Sequence, residues 1–189
     1  MPGNTTESPA QNWNTALKYI AGRKAAEESL GFVAHVSATV RDTEDPAAVV
    51  PAVARACVPF FAHAVSLDAE PTHGQAVFQG PDELTAVTEA LRGLAAETGQ
   101  RQLVISEHEG LAAKTDPRHL ELLREAGGDS AVVLSLAYRG LSDGHLVLVR
   151  QEKHRRGAFS PGELALASEV ADRAGAFLAL AGLTARAGQ

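Results

Sequence analysis

The chain has 189 residues, 45% of them hydrophobic and 21% charged, which suits a globular domain with a sizeable core and argues against wholesale disorder or a fibrous repeat. A formal charge of -6 argues against nucleic acid as the main partner, because neutralising many phosphates takes a basic surface, and the basic run at 153–156 is too short to reverse that balance. The single cysteine, Cys57, leaves no intrachain disulfide and no multi-cysteine zinc or redox site, and no stretch approaches the ~20 apolar residues of a membrane span.

Residues 1–12 are polar and rich in Pro, Gly, Ser and Thr, and are expected to form a flexible tail ahead of a single domain over 13–185. They lack the basic-then-apolar order of a secretory signal, so a cytoplasmic protein with no membrane partner is expected. From 13 to 40, Trp13, Leu17, Ile20, Leu30, Val33, Ser37 and Val40 recur at three- and four-residue steps, broken by Gly22 and Gly31. That spacing predicts one long helix or two abutting ones. Asp45-Pro46 supplies an N-cap with proline at the first helical position, and Val49, Val50, Val53, Cys57, Phe60 and Phe61 extend a second helix over roughly 46–62. Cys57 lies within this apolar face and is expected to be buried packing.

Residues 64–69 alternate apolar and polar, and 75–78 follow after the turn residues Pro71, Thr72, His73 and Gly74, a pattern that predicts a hairpin. A helix opens at Pro81-Asp82-Glu83, runs through Leu84, Val87, Leu91 and Leu94, and stops at Gly99 before a short strand at 102–105. Asp116-Pro117 starts another helix, terminated by Gly127-Gly128. The strongest strands, 130–138 and 145–150, carry apolar residues at both parities and should be covered on both faces. Their connection is hairpin-like, which favours an α+β fold with an antiparallel sheet between helices over a doubly wound parallel sheet. In the last segment Ser160, Pro161 and Glu163 form a capping box with Phe159 and Leu164 as a hydrophobic staple, worth about 1 kcal/mol. Beyond it, Ala167, Ala171, Gly175, Leu178 and Gly182 form a strip of mostly small side chains, suited to close approach by a helix of its own chain or of a second copy.

The block 127–180, with its branched strand, its Arg139-Gly140 turn, its Gly144-led second strand and its Phe159-Ser160-Pro161-x-Glu163-Leu164 helix start, resembles the C-terminal half of a GAF domain. The block 30–70 looks like the opening helices and first strand of actinobacterial versions. The resemblance implies a six-stranded antiparallel sheet flanked by helices on both faces, in a regulatory, non-catalytic sensor that is commonly dimeric. It implies a small-molecule pocket between one sheet face and the central helices and loops. The fold does not by itself supply a ligand or cofactor, so both stay unknown here.

Bilin attachment in the family needs a cysteine near the pocket, which Cys57 does not offer, and the Asn-Lys-x-Asp-Glu set of its cyclic-nucleotide sites is absent as a string. Candidate ligand-contacting residues are Ser66 and Asp68 on the first strand, Gln75 on the next, Ser106 and His108 after the short strand, His119 on the following helix, and Tyr138. His108 and His119 are also candidate haem or metal ligands, although Glu107-His108-Glu109 reads equally as a solvated loop. Ser142, Asp143 and His145 depart from the aliphatic residues of relatives, as a polar lining or, preferably, as an exposed turn. A ligand-free module for dimerisation through the terminal helices, or for contact with a separate effector protein, is the alternative. No nucleophile-elbow, phosphate-loop or dinucleotide motif suggests an enzyme.

Overall fold

The computed structural model describes residues 9–70, 76–141 and 143–187. Helix α1 runs unbroken over Pro9–Asp42, so it starts inside the segment read as a tail; residues 1–8 lie outside the described residues. Gly22 and Gly31 sit within it with open space around them, which costs about 1 kcal/mol each in helix propensity without forcing a break. Helix α2 covers Pro46–Cys57, shorter than the predicted 46–62, and Asp45 caps it by accepting a bond from the Ala47 N–H at 2.9 Å. The chain then turns through 58–62 into β1 (Ala64–Glu70), which pairs with β2 (Val77–Gln79). Helix α3 (Thr85–Thr98) ends on Gly99 in the left-handed conformation, and β3 (Gln102–Ile105), α4 (Pro117–Glu125), β4 (Gly128–Ser135), β5 (Asp143–Gln151) and α5 (Pro161–Ala187) follow.

The strands form one antiparallel sheet in the order β2-β1-β5-β4-β3. It has five strands among the described residues rather than six. The sixth was an expectation of the resemblance alone, and between β3 and α4 the backbone is spent on turns: the N–H groups of Leu111 and Ala112 reach His108 O, and Ser106 N–H donates to Thr115 Oγ1.

Both faces of the sheet are covered, as the double-parity apolar strands require. Val65, Leu67, Val132, Leu134, Leu146 and Leu148 face a layer made by α1, α2 and α5, with Phe32, Val36, Phe61, Val170 and Leu178 in its core. Ala64, Leu103, Ile105, Ala131, Val133, Val147 and Val149 face α3 and α4, whose Val87, Leu91 and Leu123, with Leu84 just before α3, fill the space against them. The small strip of α5 faces its own sheet up to Leu178: Ala167, Ala171 and Leu178 are buried, and a side chain at Gly175 would come within 2.5 Å of the Leu136 carbonyl oxygen, whereas Gly182 lies in open space.

Helices α1 and α5 lie side by side and run the same way, residues 25–29 beside 160–166 and 37–41 beside 173–180. The first half of α1 therefore extends past the start of α5, and its Trp13 is 69% exposed. The start of α5 is fastened by a buried ionic network. The Arg150 guanidinium, wholly buried, donates to both Glu163 carboxylate oxygens at 2.9 and 3.0 Å and to the carbonyls of Phe61 and Gly157, and stacks over the Phe159 ring at 3.9 Å. Burial pulls Arg150 below the usual guanidinium range. Burial would raise the Glu163 carboxyl, but hydrogen bonds from Arg150, its charge, and Arg156 hold it below the ordinary carboxylate value. Glu163 also accepts from the Ser160 N–H at 3.1 Å, completing the capping box.

Candidate functional site

Strand alternation puts Ser66 and Asp68 on the α3 face of β1, and the register carries that row across the sheet: Asp68 opposite His145 on β5, and His145 opposite Ser135 on β4. One end of an otherwise aliphatic face is thus polar. Gly144 lets this end close up, because its φ of +129° and its contact with the Asp68 carbonyl oxygen leave no room for a side chain. From α3, Arg92 reaches over the row, with Nη1 donating to Ser66 Oγ at 3.4 Å and Nε 3.9 Å from Asp68 Oδ2.

Between α3 and this row lies a groove of about 300 Å³ lined by Asp68, Glu89, Arg92, Asp143 and His145, among others. It runs on past His145 into a second hollow of about 340 Å³ beside Gln100, Arg101 and Ser135. Burial pushes the half-buried His145 below the usual imidazole range; Asp143 and Asp68 pull it back up, and Arg92 pushes it down. Asp68, Glu89 and Asp143 outnumber Arg92, whose contacts to Ser66 and Asp68 are long. The arrangement can therefore exchange weak internal contacts for bonds to a small molecule, and its negative excess favours an amine or another cationic group.

Of the candidates read from the sequence, Ser66 and Asp68 come together here. Gln75 lies outside the described residues. Ser106 is buried and its hydroxyl is committed internally, donating to the Phe159 carbonyl at 2.7 Å and accepting from the His108 N–H. His108 is exposed on the far side of the sheet, beside α1 and the start of α5. His119 is half-buried on α4, its Nδ1 without a hydrogen-bond partner. Tyr138 stands in the β4–β5 turn with the Arg139 guanidinium 5.8 Å over its ring. The sequence reading missed Arg92, one residue past Leu91 on the sheet-facing stripe of α3, and preferred an exposed turn for His145.

His108 is poorly set for haem or metal ligation. His108 Nδ1 accepts from the Gly110 N–H at 3.2 Å, which puts the proton of the neutral ring on Nε2, the nitrogen that would have to bind iron. No group of three or more His, Cys, Asp or Glu side chains is placed to hold a metal ion among the described residues. Cys57, the last residue of α2, is buried on the face opposite the groove, with its thiol pushed up to about 12 by burial, so it does not fit covalent bilin attachment. No helix among the described residues is long and apolar enough to cross a membrane.

No protein-family model matches the sequence, and no curated protein matches it. Solved structures do match the backbone. The GAF domain from a phosphoenolpyruvate-protein phosphotransferase of Coxiella burnetii superposes with a TM-score of 0.56 at 19% identity, covering 87% of this chain and 99% of that one. The phycocyanobilin-bound GAF domain of a cyanobacterial phytochrome gives 0.51 at 15% identity, with coverage of 82% and 96%. The N-acylhomoserine lactone dependent LuxR family transcription factor CepR2 from Burkholderia cenocepacia gives 0.54 at 15% identity, with coverage of 80% and 96%. At these identities the likeness is one of fold, and the fold is that of a GAF domain.

Proposed function

We propose that this GAF-fold chain is a non-catalytic sensory or regulatory module that holds a small polar molecule, with an amine or other cationic group, in the groove between α3 and the sheet. The observation that carries the reading is the polar row Asp68–His145–Ser135, with Ser66 and Arg92 beside it, on a sheet face otherwise filled with aliphatic side chains. Polar groups at one end of a hydrophobic face orient a ligand while the apolar remainder keeps the fold closed. Occupancy is read by whatever the projecting half of α1 contacts, a second copy or a separate effector protein. Mass spectrometry of freshly purified protein, followed by thermal-shift screening of amines and other small metabolites, tests this. A cognate ligand at about 100 times its Kd adds roughly 2.7 kcal/mol, and Asp68→Asn removes that gain. Failure to find a bound species or a stabilising compound across a broad panel counts against it.

A second reading, a dimerisation module without a ligand, is favoured by the exposed Trp13, Leu17, Tyr19 and Ile20 on the part of α1 that projects beyond α5. A monomer by light scattering at high concentration sinks it.

A further inference from the structure

On the opposite side of the sheet from the α3 groove, a hollow of about 560 Å³ lies between α1, the 107–111 loop and the start of α5. Ala25, Ala26, Ala158 and Leu166 give its lining apolar surface, and Ser29, His108, Arg155, Arg156 and Ser160 bring hydrogen-bonding groups. Four charged side chains line it, Arg155 and Arg156 against Glu28 and Glu163, and the buried Arg150 stands behind Glu163. Glu163 is used up, accepting from Arg150, Arg156 and Ser160. Among the described residues Glu28 is the carboxylate paired with Arg155, at 3.4 Å, and it also lies 3.6 Å from Arg156; the Arg155 guanidinium lies 4.8 Å over the Phe60 ring as well. The Arg155 side chain is 58% exposed, so its pairing with Glu28 is of the weak surface kind. His108 adds a donor, since its Nδ1 accepts from Gly110 and its Nε2 therefore carries the proton.

We propose that this hollow binds a small organic carboxylate, its anionic group taking the place of Glu28 on Arg155 with a hydrogen bond from His108, and its apolar part lying against Ala25, Ala26 and Leu166. A carboxylate head gives Arg155 a partner that is not shared with Arg156, and a short hydrocarbon tail covers the alanines. The site is separate from the α3 groove, and the inference does not rest on occupancy there.

Calorimetric titration with butyrate and hexanoate at constant ionic strength, with hexanol as the neutral control, tests the proposal. Saturable binding is expected for both acids, hexanoate tighter than butyrate by up to about 15-fold for its two added methylenes, and none for hexanol. Two variants should move affinity in opposite directions. Arg155→Gln weakens hexanoate binding by about 10-fold or more through loss of a charge-assisted bond, and Glu28→Gln tightens it several-fold by removing the competitor. Both side chains reach solvent, so circular dichroism should show each variant folded as the parent is. Absence of saturable hexanoate binding up to about 10 mM overturns the proposal. So does unchanged affinity in Arg155→Gln, and so does loss of binding in Arg92→Gln with Arg155→Gln unaffected, which would move the ligand to the α3 groove.

Discussion

Replacing Glu163 with glutamine keeps the size of the side chain and an amide oxygen for the Ser160 N–H and Arg150 Nη1, and removes one charge. The consequence falls on Arg150, whose guanidinium is fully buried and would lose its counter-charge and one of its two bonds to residue 163, keeping neutral acceptors and the faces of two phenylalanine rings. Arg156, 11% exposed and 2.7 Å from Glu163, loses the same partner. Stranding a buried charge in this way costs about 3–5 kcal/mol, far more than the intact pair contributes, because desolvation of the cation is no longer answered. Glu163→Ala should cost about 1 kcal/mol more, the worth of the capping box. The double variant Arg150→Met with Glu163→Gln should recover most of the loss, since a methionine fills the space between Phe61 and Phe159 without a charge. Urea unfolding followed by circular dichroism reads all three, with the midpoint falling and the slope unchanged for the single variants. A loss below about 1 kcal/mol for Glu163→Gln, or a double variant no better than the single, would refute the reasoning.

Gly175→Ala should destabilise the protein despite the gain of about 1 kcal/mol in helix propensity, because its new methyl meets the Leu136 carbonyl oxygen. Gly182→Ala, in open space on the same helix, should be neutral or stabilising; equal effects in thermal melts would contradict the packing of α5 described above. His154 is buried and its imidazole is pushed down to about 4, first by burial and then by the charge of Arg150 and by His63. Because the unfolded chain takes up this proton near pH 6.5 and the folded chain does not until about 4, the stabilisation is complete above 6.5 and is lost as pH falls. The loss amounts to about 3 kcal/mol across that window. His154→Gln should flatten that acid limb in urea midpoints, and an unaltered pH dependence in the variant would assign the limb elsewhere. Cys57, buried and with its thiol raised to about 12, should resist a thiol reagent in the native protein at pH 8 and titrate as one thiol after denaturation; rapid native labelling would contradict its burial.

Much of the fold was legible because each element announces itself locally. Asp45-Pro46, Asp116-Pro117 and Ser160-Pro161-x-Glu163 mark helix starts through the hydrogen bonds they make within three residues, and all three do so in the structure. β1 carries an alternating period in its own residues, and β4 and β5 carry the unbroken apolar runs of strands covered on both faces. The end of α2 was less legible: Phe60 and Phe61 continue its apolar pattern, yet they belong to the turn that delivers the chain to β1, where they pack on Phe32 and Phe159. An apolar period records burial, and burial does not require helix.

The candidate site was half legible for a related reason. Ser66 and Asp68 stand out as polar residues on an alternating strand, but which face of that strand meets α3 is decided by the sheet as a whole. Arg92 carried no signal, because an arginine beside a helical apolar stripe is ordinary on a solvated flank. His145 enters the site only through its pairing with Asp68, 77 positions earlier in the chain. Ser106 and His108 looked like pocket residues for their types and their place after a strand; tertiary structure spends the first on the Phe159 carbonyl and sets the second beside α5.

The amino-acid sequence on its own determined the elements, their order, the capped start of α5 and the antiparallel character of the sheet, since these depend on contacts within a turn or between neighbouring strands. Only the tertiary structure decided that the small residues of α5 face its own sheet, that Arg150 and Glu163 meet inside the protein, and that Asp68, Arg92 and His145 share a groove. Those are meetings between residues far apart in the chain, and their geometry follows from how the layers pack rather than from any local pattern.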